Sequence, residues 1–465
     1  MLELNSKAFQ SCFIAFLISF FSSIFFNSTH LFVLIVIIIA PLFLLLFVKP
    51  IKFIFLLVIL SIFIEVSFQQ ISFLGDAEGF LNFNGIINIF IIGCTLSLLV
   101  LKKINLSKSS LGRSFLLYLG IVLLSIITSS NWFLTIKSFF RIATGFCIYL
   151  LITNNFKREK DIERLYKLLL LITIIPICAG LFQIVIINKF HLSQALRISG
   201  TFKNGQSYSM YLGIISTLVF ARVLFSKGSL LKKLFGWIYL IIIFINLLFS
   251  STRIGWGTAI CAIGLYCIFV KRKIYLLGFL VMVLMLSLPF YSQLTTYFSG
   301  YLTTPFKSYL SSDVSNYYKG SNYESVGSLH IRVYVWRNMV DYLMTKSNPL
   351  LGSGSGTWFG YISEKLRIPL ASHSDYVEVI FGVGIIGFIV YILFRIQQLR
   401  ILIKFSKNMG SSYYKNTTVL PATAIYFALL FTSITEVWQS YVGIYWTAWI
   451  VFGLAECYYR SQVKQ

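Results

Sequence analysis

Residues 371–394 read ASHSDYVEVIFGVGIIGFIVYILF. Three ionisable residues, His373, Asp375 and Glu378, stand directly before sixteen residues that carry no charge. A helix of roughly 20 apolar residues crosses a hydrocarbon core of about 30 Å, so the stretch predicts a span over 373–394. Comparable apolar runs recur through the whole 465-residue chain, which is 57% hydrophobic and only 12% charged. An ordinary soluble domain carries about 25% charged residues. The pattern predicts an all-α polytopic membrane protein of about 12–14 spans.

The expected spans are 8–26, 31–48, 53–73, 82–101, 112–128, 133–153, 165–187, 207–225, 234–250, 254–270, 274–290, 373–394, 418–435 and 441–457. They divide the chain into spans one to eleven (1–290), a large loop (291–372) and spans twelve to fourteen (373–465). The first has no small-residue cleavage site and is read as a retained helix. The formal charge of +24 suggests nucleic acid until its distribution is seen. With both termini in the cytoplasm, 26 of the 39 Lys and Arg fall in or beside cytoplasmic segments. That is the positive-inside signature of topology, so no nucleic-acid partner is expected. All seven cysteines lie in apolar segments, which suggests neither a disulfide framework nor a thiolate metal site.

The loop 291–372 falls on the outer side and is rich in Tyr, Ser and Gly. Within it, HIRVYVWRNMVDYLM (330–344) sets Ile331, Val335, Met339 and Tyr342 opposite Arg332, Arg337 and Asp341. This spacing predicts an amphipathic helix on the membrane surface or capping a cavity. NPLLGSGSGTWFG follows (348–360), and its proline and glycines predict a turn-forming linker. No repeat of fixed period and no matching pair of broken helices appears, as many transporters would show.

Several chemistries lack their motifs: there is no Walker loop, no HExxH and no Gly-x-Ser-x-Gly elbow. The pattern points away from nucleoside triphosphates and toward a substrate already activated within the membrane. Lys137 and Arg141 lie one helical turn apart in span six, Arg253 opens span ten, and Arg197 and Lys203 sit in an outer loop. Arg253, Lys137 and Arg141 also suit interface anchors. Together they gather cations on the side where topology gives no reason for them, and arginine's fork suits phosphate. Ser372 and Asp375 have capping-box spacing, which places His373 in the first turn of span twelve. Imidazole can accept a hydroxyl proton at neutral pH. Asp375 and Glu378 share a helix face, while Gly382, Gly384 and Gly387 read as small residues for close helix approach. Glu65 stands inside span three, either paired with Arg141 or lining a cavity, and Asp76-Ala77-Glu78 reads as a solvated turn, with a divalent-metal site for sugar transfer as the alternative.

Four segments in order resemble the superfamily of O-antigen ligases and O-antigen, capsule and exopolysaccharide polymerases. They are RISGTFKNGQSYSMYLG (197–213), LLFSSTRIGWGTA (247–259), RVYVWRNMVDYLMTKSNPLLGSGSGTW (332–358) and HSDYVEVIFGVGIIGF (373–388). In the second, Thr252 and Ile254 depart from the usual residues. The resemblance implies a metal-independent, inverting glycosyltransferase without cofactor in the bacterial inner membrane. Its donor would be a polyprenyl-pyrophosphate-linked glycan and its acceptor a glycan or lipid A–core. A chain-length regulator or a flippase is the further partner it implies. Carried over, it assigns Arg197, Arg253 and Arg141 to the pyrophosphate and places Arg332, with Trp336, on a helix closing over the glycan. His373 is assigned to acceptor activation, with Glu378 as its orienter or substitute base. Polymerase is the favoured reading, ligase the second, and a lipid-linked-sugar flippase the third.

Overall fold

The computed structural model describes residues 49–63, 83–188, 197–226, 229–271, 274–275, 278–280, 328–365, 372–410 and 412–463. The expected spans 8–26 and 31–48, most of 274–290, Glu65 and Asp76-Ala77-Glu78 lie outside the described residues. So does the greater part of the loop before residue 328.

The described chain is all-α. Its helices are α1 (Pro50–Phe63), α2 (Phe83–Val100), α3 (Gly112–Leu124), α4 (Trp132–Asn155), α5 (Glu159–Ile172), α6 (Ile174–Gln183), α7 (Gly205–Phe225), α8 (Leu230–Phe249) and α9 (Arg253–Phe269). There follow α10 (Ser328–Lys346), α11 (Asp375–Asn408), α12 (Leu420–Thr432) and α13 (Val442–Val463). Five helical stretches among the described residues are long and apolar enough to cross a membrane. The protein is a polytopic helical membrane protein.

Its packing has the polarity that a lipid solvent demands. Leu230, Leu231, Leu234 and Phe235 of α8 point outward, while Ser207, Ser216, Thr217 and Thr258 are fully buried. Lipid offers no hydrophobic drive between helices, so small residues that admit close backbones carry the association. Where α7 meets α9, a Cβ on Gly255 would lie 2.2 Å from the Cβ of Ser209. Any larger residue there would force those helices apart.

The stretch 371–394 does not form the single span that its hydropathy predicts. Helix α11 starts two residues later, is N-capped by Ser374 rather than Ser372, and breaks at Gly384 (φ 69°, ψ −172°). In a straight helix Tyr376 and Tyr391 would stand about 22 Å apart along the axis, yet their ring centroids are 6.3 Å apart. The chain therefore doubles back at Gly384, and the two arms lie side by side. The first arm, 375–383, is about 13 Å long and too short to span. The second, 385–408, is about 36 Å long and can.

A reversal inside a helix strands the backbone groups on both sides of the break. Here the glycine-rich segment after α10 satisfies them. Ser353 and Gly354 N–H donate to the carbonyls of Phe381 and Gly382, both at 2.9 Å. Ile385 and Ile386 N–H donate to the carbonyls of Pro349 (2.9 Å) and Leu350 (3.2 Å). The expected linker is thus a packed element, interlocked backbone to backbone with α11. Gly352, Gly354 and Gly356 take positive φ within it.

The amphipathic helix is present as α10, and it caps the first arm. Val335, Met339 and Leu343 are buried against Phe381 and Ile362. This leaves Arg332 and Trp336 near its N-terminal end to reach the foot of the first arm.

Candidate active site

Residue 373 sits at that foot, two residues before the first helical residue, Asp375. His373 lies just outside the helix rather than in its first turn, and its φ is +53°. Left-handed backbone is uncommon for a non-glycine residue and needs support from its surroundings. The Ser372 hydroxyl donates to Glu378 at 2.7 Å, and the Ser372 carbonyl accepts from Trp336 Nε1 at 2.6 Å. Asp375 N–H donates to the Ser433 carbonyl at 3.0 Å, and Ser433 Oγ donates to Asp375 Oδ2 at 3.0 Å. Helix α10, the first arm and the α12–α13 connection therefore fix this turn together.

The carboxylate that meets the imidazole is Glu436, a residue the sequence reading passed over. His373 Nδ1 stands 3.2 Å from Glu436 Oε1, and Glu436 is 1% exposed. Glu378, expected as the orienter, is instead bonded to Ser372. Burial by itself would raise Glu436, but the hydrogen bond and charge of His373 and the Arg332 guanidinium outweigh it and hold the carboxyl below its usual range. The unfolded chain therefore protonates this residue at higher pH than the folded protein does. The stability Glu436 contributes is complete above about pH 4.5 and is lost as pH falls through the lower folded value. Thermal melts in detergent should fall off more steeply below pH 4.5 for the wild type than for Glu436→Gln.

The arginines approach from three directions. Arg332 Nη1 donates to the Thr435 carbonyl at 3.0 Å. Its guanidinium is held below the ordinary arginine value by burial first, with the neighbouring Arg253 adding to the effect against Glu436 and Tyr441. Arg253 is the first residue of α9, whose Thr252 cap hydroxyl bonds Ser209 of α7. Arg197 lies on the loop entering α7. Gln183 pins that loop by accepting from Ser199 and Gly200 N–H and donating to the Gly200 carbonyl, each at 2.9 Å. Gly200 supplies a positive φ of 57°, Phe202 packs on Tyr211 at 4.9 Å, and Asn204 Oδ1 caps α7 by accepting from Ser207 N–H at 2.8 Å. Arg197 is left exposed. Ile198 N–H reaches the Phe249 carbonyl at 3.5 Å, beside the turn that carries Arg253.

Tyr441 links these pieces: its hydroxyl lies 3.3 Å from Gln206 Oε1 at the start of α7 and 3.1 Å from Glu436 Oε1. Arg197, Arg253, Arg332 and His373 are thus carried by segments in contact around Glu436. Arg141 lies deeper, in a cavity of about 30 Å³ that Asp375, Glu378, Gln439 and Ser440 also line. Its Nη1 donates to Ser440 Oγ at 3.2 Å. The space suits water.

A family model described as O-antigen ligase matches residues 238–392. Over those residues the chain is similar to the O-antigen ligase family. The match runs from α8 through α10 into the second arm of α11 and holds Arg253, Arg332 and His373. Arg141, Arg197 and Glu436 lie outside it. No curated protein matches the chain. The match supports a membrane enzyme of the general ligase and polymerase type.

Proposed function

We propose that the protein polymerises the repeat units of an O-antigen, capsular or exopolysaccharide at the outer face of the bacterial inner membrane. On this reading both termini are cytoplasmic, and the donor is a glycan linked to polyprenyl pyrophosphate. The observation that carries the proposal is the His373–Glu436 pair, with the Arg332 guanidinium close to the same carboxylate and Arg253 close to Arg332. With Nδ1–H donated to the carboxylate, Nε2 of a neutral imidazole holds the lone pair.

A hydroxyl of the acceptor sugar gives its proton to Nε2 as its oxygen bonds to the anomeric carbon of the donor. The bond from that carbon to the pyrophosphate oxygen breaks on the opposite face, which inverts the configuration. The electron pair leaves with the pyrophosphate, where Arg197, Arg253 and Arg332 meet its growing charge. Fixed charges aimed at developing charge are often the largest catalytic contribution, and this step calls for no metal. Glu436 holds the imidazole tautomer and stabilises the imidazolium. Glu378 acts at one remove, holding Ser372 and hence the left-handed turn, and Arg141 supports that carboxylate from the cavity.

The family description supports a second reading, in which the finished chain passes to lipid A–core. Deleting the gene and comparing the surface glycan with the lipid-linked pool separates the two. A polymerase leaves single repeat units on the acceptor. A ligase leaves long lipid-linked polymer and a bare acceptor. Single units trapped on the cytoplasmic leaflet would contradict both and point to a flippase.

A further inference from the structure

Glu436 Oε1 has more donors than a carboxylate oxygen readily serves. His373 Nδ1 lies 3.2 Å away, the Tyr441 hydroxyl 3.1 Å and the Val437 N–H 3.3 Å, all at this one atom. The other oxygen, Oε2, is buried and has no hydrogen-bond partner among the described residues. A carboxylate oxygen offers about two lone-pair sites, so His373 and Tyr441 compete for the same acceptor. Tyr441 in turn has both Glu436 Oε1 and Gln206 Oε1, at 3.3 Å, among the acceptors within its reach, and a single proton to give.

We propose that Tyr441 is a positioning residue whose hydroxyl, acting through Glu436, sets how readily His373 takes a proton. This rests on the reading of His373 as the base. The direction follows from what each group does to the carboxylate. A donor from Tyr441 spreads the negative charge of Glu436 and weakens its hold on an imidazolium. Without that hydroxyl, the full charge falls on His373, which then stays protonated to higher pH. Arg332 lies close to the same carboxylate and Arg253 close to Arg332; Glu378, with Asp375 and Arg141 around the cavity beyond, bears on the pair from the first arm. All of these are common to the variants compared, so differences between variants isolate the hydroxyl. The link to Gln206 sets the tuning group against the start of α7, whose preceding loop carries Arg197.

Carbon-13 histidine NMR of the full chain in detergent reads this without substrate. The chain has four histidines, His30, His191, His330 and His373. The His373 signal is assigned as the one missing in His373→Gln. In Tyr441→Phe, which keeps the ring, its titration midpoint should rise by roughly half a pH unit. In Glu436→Gln it should fall by about one pH unit. The other three resonances should hold their midpoints, which a general loosening of the fold would not allow. A fall with Glu436→Gln but no rise with Tyr441→Phe overturns the Tyr441 proposal and leaves the base assignment standing. An unmoved midpoint with Glu436→Gln overturns the His373–Glu436 pair on which both depend.

Discussion

Alanine in place of His373 is expected to lower glycan transfer by about 10²- to 10⁴-fold, the range typical of a lost general base. The protein should remain folded, because the imidazole makes one hydrogen bond among the described residues and is partly exposed. Its neighbours Ser372 and Ser374 are the residues that tie the turn down. The apparent KM for the lipid-linked donor should change little, since the guanidinium groups rather than the imidazole would bind the pyrophosphate. A loss confined to kcat marks an interaction made in the transition state. Glu436→Gln should follow His373→Ala in kind, because an amide neither carries the charge nor holds the tautomer in the same way. Glu378→Gln should cost less, since an amide oxygen can still accept from Ser372. The check is turnover of lipid-linked oligosaccharide extracted from host membranes, using purified variants in proteoliposomes. Near-wild-type turnover by His373→Ala would remove the base.

Replacing Gly384 with alanine should destabilise the protein strongly. The residue has φ 69° and ψ −172°, a region open essentially to glycine alone. An added Cβ would lie 2.3 Å from the Leu350 carbonyl oxygen and 2.6 Å from the Gly352 nitrogen. Both are backbone atoms of the interlocked segment and cannot swing away. Strain and clash together should cost about 3 kcal/mol or more, and the foot of the first arm, with His373, should lose its position. Gly257→Ala is the matched control: nothing lies within 4 Å of its Cβ position and its φ is ordinary. Melting temperatures in detergent should therefore fall sharply for Gly384→Ala and stay level or rise for Gly257→Ala.

Much of this arrangement is legible in the sequence because it rests on residue type and spacing. Hydropathy gives the all-helical membrane class, and the 330–344 pattern gives the capping helix with Val335 and Met339 on its buried side. In RISGTFKN the structure separates the scaffold from the exposed group: Gly200 turns the loop, Phe202 anchors it, Asn204 caps α7, and Arg197 is presented. What was not legible depends on backbone geometry and distant contacts. A continuous apolar run looks the same whether it passes through the membrane or reverses, and only the positive φ of Gly384 distinguishes the two. The capping residue is Ser374 because the chain is still left-handed at His373. Glu436 was missed because it stands 63 residues from His373. A signal for it was present in TSITEVWQS (432–440), an acidic residue in an apolar setting. Such residues are costly in a membrane and mark functional candidates.

On the proposed reading guanidinium groups from two helices and a loop meet a pyrophosphate beside one histidine. A cryo-electron microscopy map of the protein bound to undecaprenyl pyrophosphate tests it most directly. The expected density places the phosphates within hydrogen-bonding reach of Arg197, Arg253 and Arg332, with the open edge of His373 facing the space beside them. Phosphate density elsewhere in the molecule, with those three arginines bound to other groups, would contradict it.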